Sequence, residues 1–347
     1  MDRRNFLKGA ALFSVTPIVL PDMYFLKDYS DYRFIEPVKN QKYAKVLSYS
    51  DPGCVGADFN INDQRAADLF RTALMEFTGQ PTVKEAVISL FPKFRNDLRV
   101  SMKVNTASDT IPSHPIIADT MANCLVEAGL QPDNIIIWER EEGTLQSSGY
   151  QIVNELGKVK VIGTNTPGYG YDERRSEKVH GVSVYLSSIL TQHSDYQINL
   201  GVMKHHWFTG AAVCMKNHYG SIPLLEKPMA IGPYDILQLH LNACDPYMGE
   251  LYATIEEKVP TVLCVCDGLL GAYNNGPLGP PQWVQNEILL SNDPVAIDTL
   301  ALYRIEKKRR EIGLPPLLNK AMFVRTGAQL DLGTNNPANM EMIRRSL

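Results

Sequence analysis

The stretch INLGVMKHHWFTGAAVCMKNHYGSI, residues Ile198 to Ile222, decides how the rest of the chain is read. It opens with an apolar run of Ile198, Leu200, Val202 and Met203, the pattern of a buried strand. It breaks at Lys204-His205-His206 and passes Thr209-Gly210. A helix start is expected through Ala211, Ala212 and Val213. Lys216, Asn217 and His218 follow, and Gly220 closes the segment. Two lysines, an asparagine and three of the chain's seven histidines thus collect at one expected strand-to-helix junction. In open α/β sheets, ligands bind outside the carboxyl ends of the strands. The functional site is therefore expected here.

The segments on either side supply the sheet. Upstream, Tyr43–Tyr49 reads as a first strand, and Asn62 as the cap of a helix with Ala66, Leu69, Phe70, Ala73, Leu74 and Phe77 on its apolar face. A short helix is expected over Thr82–Leu90. Leu98–Asn105 reads as a strand ending in Lys103 and Asn105, followed by a polar loop with Asp109, Ser113 and His114. Pro115 opens a helix that Gly129 stops, and Asn134–Glu139 is the next strand. Strand, helix and strand at this spacing make a βαβ unit, parallel with a right-handed crossover. Val159–Thr164 is a further strand, Pro167–Arg175 a lid-like loop, and Val184–His193 a helix.

Downstream, helices are expected near Tyr234–Cys244 and Met248–Lys258. Thr261–Cys266 is a strand, with Asp267-Gly268 at its C-terminal end and a long loop from Gly271 to Pro281. Ile288–Leu290 is a short apolar piece. Asp293 and Pro294 supply an N-cap and an N1 proline for a helix over Val295–Arg310, with Asp298 one turn inside it. The last segment, from Leu314, reads as packing. The fold class expected is α/β: a mainly parallel sheet flanked by helices, built from βαβ units, with its site at the C-terminal strand ends.

Composition narrows the function classes. Of 347 residues 44% are apolar and 21% charged, an ordinary globular balance with a net charge of -4. No basic excess points to nucleic acid. At the N-terminus, Arg3-Arg4 with Phe6 and Leu7 precedes an apolar stretch from Gly9 to Leu20. That stretch is too short to span a bilayer and has the form of a twin-arginine export signal. Residues 1–30 are expected to engage the twin-arginine translocation machinery and direct the protein to the periplasm. Cleavage would leave no stable membrane span, whereas retention would leave an anchor. Residues 31–347 then form the α/β domain, with a division into two lobes, roughly 43–165 and 180–335, left open. Cys54, Cys124, Cys214, Cys244, Cys264 and Cys266 have no C-x-x-C spacing. They read as buried thiols, with a disulfide or metal ligation as alternatives.

Three expected strands end in polar residues: Lys103 and Asn105, Lys204 to His206, and Asp267. Parallel strands would bring these together at one edge. Lysines there suit carboxylate or phosphate. Histidines suit a divalent metal or proton transfer. Lys204, His205, His206 and Lys216 are accordingly the catalytic candidates. Lys103, Asn105, Asn217 and Asp267 are the substrate-binding candidates. His205, His206, His218 and Asp298 are the metal candidates. No Walker loop, H-E-x-x-H or G-x-S-x-G motif is present.

The order Lys204-His205, Thr209-Gly210, Lys216-Asn217-His218 and Gly220, then Cys266-Asp267-Gly268 and Ser291 to Asp298, resembles the family called domain of unknown function 362. Lys103-Val104-Asn105 also resembles that family's early motif. The likeness runs over roughly residues 44–335. Some members carry ferredoxin-type cysteine clusters; this chain has no such run, so the resemblance implies no iron–sulfur cluster here. A remoter similarity is to nickel-pincer lactate racemase, through the ten-residue spacing of His206 and Lys216, and it implies a metal-containing cofactor. The function expected is an exported α/β enzyme acting on a small anionic substrate, with a metal or metal cofactor compatible with the donor set. The alternative is a non-catalytic anion- or metal-binding protein of the cell envelope. A third reading is a scaffold for an envelope complex.

Overall fold

A computed structural model describes residues 35–40, 42–223, 241–317 and 320–347. The export signal and most of the helix expected near Tyr234–Cys244 lie outside the described residues.

Strand β1 (Ala44–Ser50) leads to helices α1 (Asp63–Thr78) and α2 (Val83–Leu90). The Asn62 side chain caps α1 by accepting from Arg65 N, and the buried face of α1 is the apolar set read from the sequence. Strand β2 (Val100–Lys103) is followed by α3 (Pro115–Ala128), which has Pro115 in its first turn and Gly129 as its left-handed C-cap. Then come β3 (Ile135–Glu139), α4 (Glu142–Ser147) and β4 (Lys160–Gly163). A small hairpin, β5 (Glu177–Val179) and β6 (Val182–Val184), precedes α5 (Ser188–His193). The helix expected from Val184 therefore begins only at Ser188, and Val184 itself closes β6.

The central stretch forms β7 (Tyr196–His206), β8 (Gly210–Ala212) and a single helical turn, α6 (Cys214–Asn217). After it come α7 (Tyr247–Glu256), β9 (Thr261–Ala272), β10 (Trp283–Ser291), α8 (Pro294–Glu311), α9 (Met322–Gln329) and β11 (Met340–Ser346).

Nine strands make one mixed sheet in the order β11-β1-β10-β9-β7-β2-β3-β4, with β8 paired to β7. Five pairs are parallel: β11/β1, β9/β7, β7/β2, β2/β3 and β3/β4. The sheet is α/β in class, mostly parallel and flanked by helices on both faces. On one face Ile198, Leu200 and Val202 pack with α1, α2 and α3. On the other, Met203 packs with α7, α8 and α9. Each cluster is buried between sheet and helices, which is what gives a sheet of this kind its apolar strands.

Three elements differ from the sequence expectation. Residues 210–212 pair antiparallel with β7, so Lys204-His205-His206 lies inside a hairpin and the helix begins only at Cys214. Strand β9 runs past Asp267-Gly268 to Ala272 because Asp267 finds buried donors for its carboxylate. A side chain at Gly268 would place its Cβ 2.8 Å from Glu287 O, so glycine permits this close crossing. Strand β10 is long, with a bulge between Val284 and Glu287 where Asn286 takes φ 55°. The bulge breaks its alternation, which is why only Ile288–Leu290 was legible as apolar.

Candidate functional site

Strands β2, β7 and β9 are adjacent and mutually parallel, so their carboxyl ends share one edge of the sheet. The register is staggered. Lys103 pairs with Asn199, and β7 continues to His206 beyond the end of β2. Alternation sends Lys103 toward the face of Asn199 and Lys204 toward the face of Leu200 and Val202.

Lys103 is completely buried. Its ammonium pairs with Glu139 on β3 and donates to Val104 O at 2.7 Å and Asn217 Oδ1 at 3.4 Å. Burial pushes its pKa down, against the pull of Glu139. Gly220 lies against this pair. A Cβ there would fall 2.4 Å from Glu139 Oε1 and 2.8 Å from Lys103 Nζ, which explains the glycine. Asn217 acts as a brace. Its Nδ2 donates to Lys103 O at 3.1 Å, Asn199 Oδ1 at 2.9 Å and Leu200 O at 3.3 Å.

Lys204 is also completely buried, but among the described residues no carboxylate bonds to it. Its ammonium donates to Asn105 Oδ1 at 2.8 Å and to Ile111 O at 3.3 Å, both neutral oxygens. Burial first, then the charges of Lys103 and Lys216, lower its pKa to about 7, with Glu139 opposing. Lys216 is buried against Tyr219, with its ammonium 3.8 Å from the ring centroid. Burial chiefly lowers its pKa to about 8, and Arg140 adds to the effect. Arg140 reaches the same group by donating to Tyr219 O.

The loop after β2 closes over Lys204. Asn105 N donates to Ser113 Oγ at 2.9 Å, Ser113 N donates to Asn105 O at 2.8 Å, and Ser113 Oγ donates to Leu200 O at 2.8 Å. His114 follows directly. Its backbone N donates to Asp267 Oδ2 at 2.8 Å, and its Nδ1 lies 2.7 Å from the same oxygen. Asp267 also accepts from Leu269 N at 3.2 Å. Asp267 is thus the anchor of an imidazole.

The four metal candidates are not brought together. His205 Nδ1 accepts from Gly276 N at 3.1 Å. His206 Nδ1 accepts from Phe208 N at 3.2 Å and Thr209 N at 3.3 Å, fastening the β7–β8 turn. Adjacent on one strand, the two histidines face opposite sides of the sheet. His218 Nδ1 pairs with Ser221 Oγ at 2.8 Å, and burial lowers its pKa to about 3. Asp298 accepts from Cys214 N at 2.8 Å and Met215 N at 3.1 Å, capping the turn of α6. Burial raises its pKa to about 8. Among the described residues no three His, Cys, Asp or Glu side chains come close enough to hold a metal ion. Among the described residues these four candidates therefore form no metal site, and the His206–Lys216 spacing joins a turn fastener to a lysine on Tyr219. All six cysteines are buried, and none forms a disulfide.

The structure brings together Lys103, Asn105, Lys204, Lys216 and Asn217 from the sequence-derived set. It adds Glu139 and Arg140, consecutive at the end of β3, and Tyr219, three residues after Lys216 in the central stretch; none of the three was among the sequence-derived candidates. His114 was legible only as a loop polar residue. The cue that could have singled it out is its place as the residue before an N1 proline at a strand end.

No curated protein matches this chain. A crystal structure of a protein from Thermotoga maritima is similar at 13% identity and a TM-score of 0.34, over 73% of this chain and 59% of that one. The chain therefore spans under two thirds of that protein's length. The family model for the domain of unknown function DUF362 matches residues 100–303. That segment holds β2, the lysine cluster, Asp267 and the Asp293-capped start of α8, and the chain belongs to the DUF362 family.

Proposed function

We propose that this protein is an enzyme acting on a small anionic substrate at the carboxyl ends of β2, β7 and β9. Lys204 carries the reading. A fully buried ammonium held only by neutral oxygens, with two further lysines near it, is a site that an anion would stabilise. Its pKa of about 7 lets the same group exchange a proton near neutrality. A closed site of this kind also suits a protein that holds an anion without turning it over, and product formation separates the two. In the same reading, Arg3, Arg4, Phe6 and Leu7 take the protein through the twin-arginine machinery to the periplasm; these residues lie outside the described ones.

The test is ligand-induced stabilisation by inorganic phosphate, sulfate and small mono- and dicarboxylates, with wild type compared to Lys204→Met and Lys204→Arg. At about a hundredfold excess over Kd a true ligand raises stability by about 2.7 kcal/mol. The expected result is saturable stabilisation of wild type that Lys204→Met loses and Lys204→Arg partly keeps. Equal stabilisation in all three, or none in wild type, would overturn the reading.

A further inference from the structure

The His114–Asp267 pair has the geometry of an oriented base. Asp267 is fully buried on β9 and already accepts the backbone N–H groups of His114 and Leu269. The imidazole adds a third bond through Nδ1 at 2.7 Å. A carboxylate at Nδ1 fixes the tautomer with the proton on Nδ1 and leaves Nε2 as the basic nitrogen. Among the described residues Nε2 has no hydrogen-bond partner, and the side chain keeps 11% of its surface accessible, unlike the closed lysines beside it. By contrast, His205 and His206 spend Nδ1 as acceptors from backbone N–H groups of the hairpin and its neighbouring loop.

The pair belongs to the same edge as Lys204. Asp267 pairs in register with Val202, two residues before Lys204 and on the same face. His114 ends the loop whose Asn105 and Ile111 hold the Lys204 ammonium. The other ionisable groups facing the pair are Tyr150, whose hydroxyl donates to Ser113 O at 2.8 Å, and Asp119, one turn into α3. Neither is bonded to the imidazole.

We propose that His114, oriented by Asp267, is the proton-transfer residue of this site: Nε2 takes a proton from a ligand whose negative charge Lys204 holds, and returns it. The imidazolium formed in between is stabilised by Asp267, and no other reactant is required. The proposal rests on the anion-site reading above.

The experiment is long-range proton–nitrogen NMR of the full chain labelled at histidine, with and without inorganic phosphate, whose monoanion carries a transferable proton, alongside the stabilisation measurement. Wild type should show His114 protonated at Nδ1 and bare at Nε2. Saturating anion should move the Nε2 resonance toward that of a protonated nitrogen. Asp267→Asn, whose amide can donate to Nδ1, should reverse the tautomer while the anion still binds. His114→Gln keeps a donor to Asp267 and should leave anion stabilisation within twofold in apparent Kd while the imidazole resonance that the anion moves is lost. Saturable anion binding with an unmoved His114 resonance would overturn this proposal and leave the anion site standing. Absence of anion binding in wild type would remove both.

Discussion

At the residue scale, burial sets the behaviour of Lys204 and Asp298 in opposite directions. The folded Lys204 gives up its proton at about 7, whereas an ordinary lysine does so at 10.5. Between those values the unfolded chain binds a proton that the folded chain does not, so this group makes stability rise with pH by about 1.4 kcal/mol per unit. Below about 7 both states are charged and the slope vanishes. Lys204→Met should therefore flatten the rise between pH 7 and 10, read from urea midpoints in buffers free of multivalent anions. Curves that stay parallel would show that Lys204 titrates normally. Asp298 runs the other way. Its folded pKa of about 8 exceeds the ordinary 3.8, so the folded state binds the extra proton and stability falls as pH rises through that window. Asp298→Asn should remove the fall. Asp298→Ala should cost about 1–3 kcal/mol, because Cys214 N and Met215 N lose their acceptor.

At the scale of elements, the site depends on backbones that approach closely. A Cβ on Gly201 of β7 would lie 2.7 Å from the Val213 carbonyl carbon and 2.9 Å from Cys214 N. Because those are backbone atoms, α6 would have to move. Gly201→Ala should cost about 1–3 kcal/mol and weaken anion binding together with stability. Lys103 on β2 and Glu139 on β3 add an ion pair to the parallel backbone ladder that joins the two strands. Lys103→Met would leave Glu139 buried without its ion pair and should cost about 3–5 kcal/mol, and adding Glu139→Gln should recover part of the loss. A double-mutant cycle in urea measures that coupling, and strict additivity would mean the pair contributes nothing. Elements also explain what the sequence reading mistook. Ala211, Ala212 and Val213 favour a helix locally, yet residues 210–212 form a strand because β7 offers unpaired backbone groups and His206 fastens the turn.

For the whole molecule, the sheet carries residues from both halves of the chain into one edge, with β11 returning to pair in parallel with β1. No helix among the described residues is long and apolar enough to cross a membrane. In the proposed reading, export rests on residues 1–30 rather than on the sheet. Fusing the first residues to a reporter should send it to the periplasm, and Arg3→Lys with Arg4→Lys should keep it in the cytoplasm. Secretion unaffected by that change would point to a different route.

The sequence by itself determined the helix faces and caps, the parallel strands and the edge at which they end. Those features rest on local periodicity and on residues such as Asn62, Gly129, Asp293 and Pro294, whose backbone preferences act over a few positions. It also marked Lys103, Asn105, Lys204, Lys216 and Asn217, together with His205, His206, His218, Asp267 and Asp298, as candidates for one site, on the argument that parallel strands bring their carboxyl ends together. Only the tertiary structure decided what each polar side chain does. Asp267 holds His114 across 153 positions of sequence, Glu139 meets Lys103 across 36, and the histidines that looked like ligands fasten backbone. A side chain's partner and its degree of burial are set by non-local packing, and with them go its charge state and its chemistry.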